Sequence, residues 1–546
     1  MSPTSKLALR STDRVGHVAA EEDYEILASC FVDNRNEIDV LKDVSDPRSI
    51  VLGRTGSGKT ALLLRVSQRE DICIDILPEN LAIEYVSNST ILRFLTDTLD
   101  IRLDVFFKLL WRHVIAIEII KHKFGIFTRE DKEGFISQIR EHFRTEQDRR
   151  AISYLDRYGN SFWEETDVRV KEVTTNVENS IRAELGLTQQ ELYSIEVGGH
   201  SGFSEQRQTE IKHRAYRVIN NVQARKLSEI IGLVESILDD PQKSYYICID
   251  KLDENWVGDS LKYKLIRSLI DTGREFNSDV YSLKVIIALR QDLIQRVIEK
   301  TKDRGFQAEK YESLYIPIRW SREKIKDILD VRINYLFKYK YTKQDVSSED
   351  ILPPYLDGKP TIDYMIDRTL LRPRDIIIFF NKCVENIDGA QVLTEDIIKR
   401  AEFSYSESRL QSIQDEWQAD HPNLRNFIYI LHRISSTFML SDIDSDEIDR
   451  IQKNLINDGR LFLETIPPES ISGSLQKKIE GEISWKVFRT RLFTTLFDVG
   501  MVGIKSFRSS DFRWSVSYSS NVSPIDFDED TQISIHPAFW SALGIQ

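Results

Sequence analysis

Cysteine is scarce in this chain. The four, Cys30, Cys73, Cys248 and Cys383 of 546 residues, are far apart and form no Cys-x-x-Cys pair. That spacing indicates neither a zinc site nor a disulfide framework, and a reducing cytoplasm suits it. Long apolar runs are also missing. The nearest to a membrane span, Phe106 to Phe127, is interrupted by Lys108, Arg112, Glu118, Lys121 and Lys123, and reads as a helix for a protein interior. The first 14 residues scatter their charges and lack an apolar stretch, so no secretory signal is expected there. Internal repeats and low-complexity tracts are absent. Positive charge is outnumbered, 74 Lys and Arg against 87 Asp and Glu for a net charge of -13. That balance argues against a surface coating nucleic acid indiscriminately, although it does not exclude a local basic face.

What is present describes an ordinary globular chain, with 41% hydrophobic and 29% charged residues and enough length for about three domains. Residues 1–20 are polar and read as a flexible tail, followed by a short helix around Glu21 to Phe31. Four short apolar runs read as strands: Ile50–Leu52, Ile72–Leu77 (a neighbouring core strand), Tyr245–Ile249 and Leu283–Leu289, with a further strand-like run at Leu314–Ile318. Between about 90 and 240 the pattern is helical, a large insertion. Within it, Gly198 to Gly202 marks a loop whose His200 has no second ligand at metal spacing. Helical patterning returns after Trp320 and runs to about Phe403, with Glu407 to Trp417 as a further polar helix. Near the end, a helix over Gly481–Asp498 stops at Gly500, and the alternating runs 502–507 and 512–518 form a hairpin around Arg508–Asp511. Helix then hairpin is how a winged helix ends.

The chemistry concentrates in one segment. Gly53-Arg54-Thr55-Gly56-Ser57-Gly58-Lys59-Thr60, between an apolar strand and an apolar helix beginning Ala61-Leu62, is a complete Walker A loop. Its glycines let backbone N–H groups close around phosphates, Lys59 reaches the β and γ oxygens, and the Thr60 hydroxyl ligates magnesium. The helix adds its positive N-terminal end. The nucleotide-binding set is thus Gly53 to Ala61, the ligand ATP with Mg2+. Asp250, ending an apolar strand, is the matching Walker B carboxylate, with Thr60 and Asp250 as metal ligands. Hydrolysis also needs a group that orients or deprotonates water. Lys251 holds the position where many ATPases place a glutamate, so that role passes to Asp253 or Glu254, with Glu254 having the longer reach. Arg290 ends the next strand where it can sense the γ-phosphate. Arg304 is a weaker arginine-finger candidate. In Leu371-Arg372-Pro373-Arg374-Asp375, the proline starts a helix, and Arg374 is the candidate to reach the nucleotide from a helical lid.

Together with Glu21-Glu22-Asp23, Phe31-Val32 and Trp320-Ser321, these motifs resemble the bacterial P-loop ATPases allied to the STAND and KAP groups within the wider AAA+ and ORC-like assemblage, over residues 21 to about 420. Relatives commonly carry a small residue or Asp where this chain has Lys251. The resemblance implies an α/β P-loop NTPase fold with a parallel sheet of order 5-1-4-3-2, a core over 21–320, a helical lid over 321–420 and a winged-helix-like domain over 421–546. It further implies ATP-dependent switching or assembly, with a protein partner or homo-oligomer, and a role in defence against phage. Two alternatives stand beside this. A DNA-binding ATPase would use Lys486, Arg489, Arg491, Lys505, Arg508 and Arg513 as a basic face, opposed by the acidic run Asp526 to Asp530. A nucleotide-bound scaffold would hydrolyse little or nothing.

Overall fold

The computed structural model describes residues 9–69, 72–78, 103–124, 242–254, 259–301, 309–340, 342–387, 392–461, 466–506, 510–515 and 526–545, with isolated positions between 175 and 256 and at Val522. Most of the expected helical insertion lies outside these residues, as do His200, Arg304 and Arg508. The chain divides into two bodies: Arg35–Arg54 with Lys59–Ile318, and Met1–Asn34 with Thr55–Gly58 and Arg319–Gln546.

The first body is built on five parallel strands, β1 (Ile50–Gly53), β2 (Cys73–Ile76), β3 (Tyr245–Ile249), β4 (Leu283–Arg290) and β5 (Tyr315–Pro317). Their order, 5-1-4-3-2, is the one the family resemblance implies. β1, β3 and β4 are buried almost throughout, as strands covered on both faces must be, and this explains their unbroken apolar runs. The run Ile72–Leu77 requires correction. Read as a core strand, β2 is, among the described residues, the edge strand that this order implies, paired with β3, and its alternate residue Asp75 is exposed. In register, Gly53 lies beside Arg290, so the carboxyl ends of β1 and β4 align.

Among the described residues four long helices accompany this sheet: α1 (Lys59–Arg69), α2 (Asp104–Phe124), α3 (Asp259–Asp279) and α4 (Gln291–Thr301). α2 is an interior helix, with Phe106, Phe107 and Trp111 fully buried. Each such side chain contributes about 1.5–3 kcal/mol of hydrophobic stabilisation. Trp111 also donates its indole N–H to Leu265 O at 2.9 Å and meets Trp256 edge-on. The charges that break the apolar run serve the packing, since Lys108 and Arg112 both pair with Glu275 of α3, at 3.1 and 2.5 Å. Among the described residues no helix is long and apolar enough to cross a membrane.

In the second body, the expected mobile tail is tied down from Leu9 onward. Leu9 and Val15 are buried, Asn381 takes the Val15 N–H and donates to Gly16 O, both at 3.0 Å, and Arg332 pairs with Asp23 at 2.6 Å in the interior. Besides short helices at Tyr24–Cys30 and Ser348–Ile351, the described helices of this body before the C-terminal part include α5 (Arg322–Lys340), α6 (Thr361–Asp367), α7 (Pro373–Glu385) and α8 (Glu395–Trp417). α8 runs unbroken where a separate helix from Glu407 was expected, because Ile397, Ile398, Ala401 and Tyr405 continue one buried stripe and Tyr405 stacks on Phe379 at 4.5 Å. A two-stranded hairpin, β6 (Tyr355–Leu356) and β7 (Lys359–Pro360), turns at Asp357-Gly358 with both residues at positive φ. That dipeptide is the signal for such a turn.

The C-terminal part carries β8 (Thr437–Met439), α9 (Ser445–Asn457), α10 (Ile471–Ile479), α11 (Trp485–Asp498), β9 (Val502–Lys505), β10 (Arg513–Trp514) and β11 (Gln532–Ile535). α11 starts at Trp485, capped by the Ser484 hydroxyl, and ends at Gly500 with φ 88°. The expected hairpin is there, β9 against β10, as half of an antiparallel sheet of order β10-β9-β11-β8.

Lys284 of β4 is fully buried and donates to the carbonyls of Asp43 and Asp46. Burial outweighs the nearby Asp46 and Asp43 charges and pushes its amine down to about 8 from 10.5. Between those pH values the unfolded chain holds a proton that the folded chain has released, so this group makes stability rise with pH across the window. Urea melts of wild type and Lys284→Met from pH 7 to 11 should show the wild-type-minus-variant stability climbing through that range. A flat difference would remove the buried-amine account.

Candidate functional site

The loop after β1 adopts the conformation its glycines permit. Gly56 and Gly58 have φ of 76° and 96°, where a side chain is strained. The hydroxyls of Thr55 and Ser57 are buried without a hydrogen-bond partner. Leaving such groups unpaired costs about 1–3 kcal/mol each, so their presence in this loop fits a polar guest rich in acceptors, as a polyphosphate is. Lys59 opens α1 and donates to Gly53 O and Arg54 O, both at 3.3 Å, long for an ammonium donor.

One residue further on, the Thr60 hydroxyl donates to Asp250 Oδ2 at 2.6 Å across 190 positions of sequence. The other carboxylate oxygen accepts the Lys251 N–H at 2.8 Å. Lys251 itself takes a left-handed conformation, φ 59°. Such backbone suits Gly, Asn or Asp better than Lys. Thr60 and Asp250 are therefore held together and oriented, two oxygen donors of the kind that could hold a magnesium ion.

The acids beyond Asp250 occupy a pinned turn. Leu252 is buried and Trp256 donates to its carbonyl at 2.9 Å, while the Lys262 amine donates to the carbonyls of Asp253 and Glu254 at 2.9 and 2.8 Å. The side chains of Asp253 and Glu254 remain exposed. Arg290 forks onto Asp292 at 3.0 and 2.9 Å and lies 3.7 Å from Asp253 Oδ2. Two of the sequence-predicted residues, Asp253 and Arg290, thus meet at the ends of β3 and β4.

Residues 55–58 group with the second body, where two side chains bear on them. Trp320 donates its indole N–H to Ser57 O at 2.8 Å. Arg374 lies against Gly56, whose carbonyl is 3.5 Å from the Arg374 N–H. As expected, Pro373 opens α7. The arginines around it divide their duties: Arg372 pairs with Glu416 at 3.4 Å, Asp375 is held by Arg409 at 2.9 Å, and the Arg374 Nε is buried without a hydrogen-bond partner. The role of Trp320 escaped the sequence reading, because an indole donor to a loop carbonyl has no sequence signature.

Of the six basic residues of the DNA alternative, Lys486, Arg489 and Arg513 are paired with acids in the C-terminal sheet region. Arg489, largely buried, and Lys486 both pair with Glu529, at 2.5 and 3.7 Å, and Arg513 pairs with Asp526 at 2.7 Å. The acidic run folds onto these residues.

Residues 323–414, from α5 into α8 and including Arg374, match the family described as the FunZ-associated C-terminal helical domain. The chain is also similar to the "Putative transposon gamma-delta 80.3 kDa protein" of Escherichia coli (strain K12), 20% identical over 538 residues, spanning 97% of this chain and 67% of that protein.

A methyl group at Gly56 would stand 3.0 Å from Arg374 Cβ on backbone with φ 76°. Gly56→Ala is expected to lower stability by about 1–2 kcal/mol through the left-handed backbone alone, read as a lowered Tm. An unchanged Tm would mean the loop does not hold this conformation.

Proposed function

We propose that this chain is a magnesium-dependent P-loop ATPase of the AAA+-like kind that works as a nucleotide-driven switch. The observation that carries the reading is the Thr60–Asp250 hydrogen bond, which joins the loop hydroxyl to a strand-end carboxylate in a sheet of order 5-1-4-3-2. Thr60 and Asp250 would hold the magnesium, which would supply positive charge against the charge that develops on the phosphates. Lys59 exchanges its two long carbonyl contacts for phosphate oxygens, and the loop N–H groups with Thr55 and Ser57 supply donors. Asp253, held toward Arg290, orients the attacking water, with Glu254 as the alternative carboxylate. Arg290 and Arg374 report on the phosphates. A phosphate can bias a switch only by interacting differently with its two states, and Arg374, packed on the loop, is suited to provide that difference.

The partner of such a switch is a protein, or further copies of this chain, with winged-helix-like elements at the C-terminus as the output. The biological role we infer from the family resemblance is bacterial defence against phage. The name of the similar E. coli protein adds an association with mobile DNA.

Steady-state phosphate release with ATP and Mg2+ tests this. Lys59→Ala is expected to abolish it, and Asp253→Asn to lower kcat about 10²-fold or more, as removal of a water-positioning group does. Arg374→Ala should lower kcat with little change in nucleotide affinity. Wild-type release no greater than that of Lys59→Ala would overturn hydrolysis and leave the nucleotide-bound scaffold.

A further inference from the structure

The two cysteines separated by 175 positions, Cys73 and Cys248, have their sulfurs 3.5 Å apart. The parallel pairing of β2 with β3 explains how. Asp75 stands opposite Cys248 and Cys73 opposite Tyr246, so Cys73 and Asp75, two apart on one strand, share a face with Cys248 on the next. One sulfur from each thiol and one carboxylate oxygen of Asp75 all lie within 4.8 Å of one another. Zinc bound tetrahedrally, with Zn–S about 2.3 Å and Zn–O about 2.1 Å, holds its donor atoms roughly 3.5–3.8 Å apart. The three donors are therefore nearly at ligand spacing, on sheet backbone that fixes them.

We propose that Cys73, Cys248 and Asp75 form a zinc site at the β2–β3 edge of the sheet. Two thiolates select a soft d10 cation over magnesium, which takes oxygen ligands in an octahedron, so this site is chemically distinct from the Thr60–Asp250 pair. Binding displaces the thiol protons to solvent, and two thiolates with one carboxylate leave the Zn2+ complex with one negative charge. Cys248 is buried, Cys73 partly so and Asp75 exposed, which leaves the fourth tetrahedral position on the open side, within reach of water. The site stands whether or not the chain hydrolyses ATP.

The test uses the full-length chain, purified from zinc-supplemented culture with any affinity tag removed and dialysed against a weak chelator. Mass spectrometric metal analysis should find about one zinc per chain. Cys73→Ser and Cys248→Ser should each lose it, Asp75→Asn should release it at lower chelator concentration, and Asp250→Asn should keep it. Because a serine variant could misfold, wild-type protein titrated with Co2+ supplies an independent reading: thiolate-to-cobalt charge-transfer absorption must appear and must be displaced by zinc. The proposal is overturned if wild type retains no zinc and shows no such absorption, if zinc persists undiminished in both serine variants, if Asp250→Asn removes it, or if the purified chain holds Cys73 and Cys248 as a disulfide.

Discussion

The hydrogen bond from Thr60 to Asp250 constrains everything around it. At 2.6 Å it requires the first turn of α1 and the carboxyl end of β3 to be neighbours, although β4 lies between β1 and β3 in the sheet. Only a parallel arrangement places all three strand ends along one edge. Parallel strands need crossovers of about a dozen residues or more, so the partners of a site a few ångströms wide come from distant segments, 190 positions apart in the sequence. The unbroken apolar character of β3 and β4 follows from the same demand, since crossovers cover both faces of such a sheet.

Orientation of Asp250 is secured at a local cost. The Lys251 N–H holds the carboxylate, and the chain then turns left-handed at Lys251, a conformation disfavoured for a residue with a side chain by about 1–2 kcal/mol. Strain of this size persists where surroundings over-determine it, and here Leu252, Trp256 and Lys262 pin the following turn. The same turn presents Asp253 and Glu254 outward. Lys251 in the usual glutamate position is thus compatible with the proposed hydrolysis, because the acids it displaces are returned to the strand end by the turn.

Local signals were legible in the sequence to the degree that their physics is local. The loop from Gly53 to Thr60, the strand ending before Asp250, the β4 run, Pro373 at the start of α7 and Gly500 at the end of α11 each depend on a few neighbouring residues, and each is found where the sequence puts it. The Asp357-Gly358 turn is equally local in its physics. Other features depend on pairing between distant segments. No periodicity says that β2 is an edge strand, that α8 continues past Phe403 because Tyr405 stacks on Phe379, or that Leu9 and Val15 are anchored by Asn381. The cysteines make the point most sharply. Spacing along the chain argued against a metal site, yet strand pairing brings two sulfurs to 3.5 Å, and spacing rules apply only when ligands come from one hairpin or helix.

Charge in the C-terminal sheet bears on what a switch of this kind would act upon. A phosphate contact needs a cation that is accessible and whose present partner can be displaced cheaply. Arg489 is only 7% exposed and is held by Glu529, which also takes Lys486, and Arg513 is taken by Asp526. Bringing a nucleic-acid backbone to this face would set its phosphates against Asp526 and Glu529 and require Arg489 to leave the interior, each step opposing the attraction that drives such binding. In a chain of net charge -13, these arginines act as internal counter-charges that let an acidic segment fold onto the sheet. Recognition of a protein through the same elements needs none of those pairs to open, so the acidic run favours a protein partner over DNA for the proposed switch.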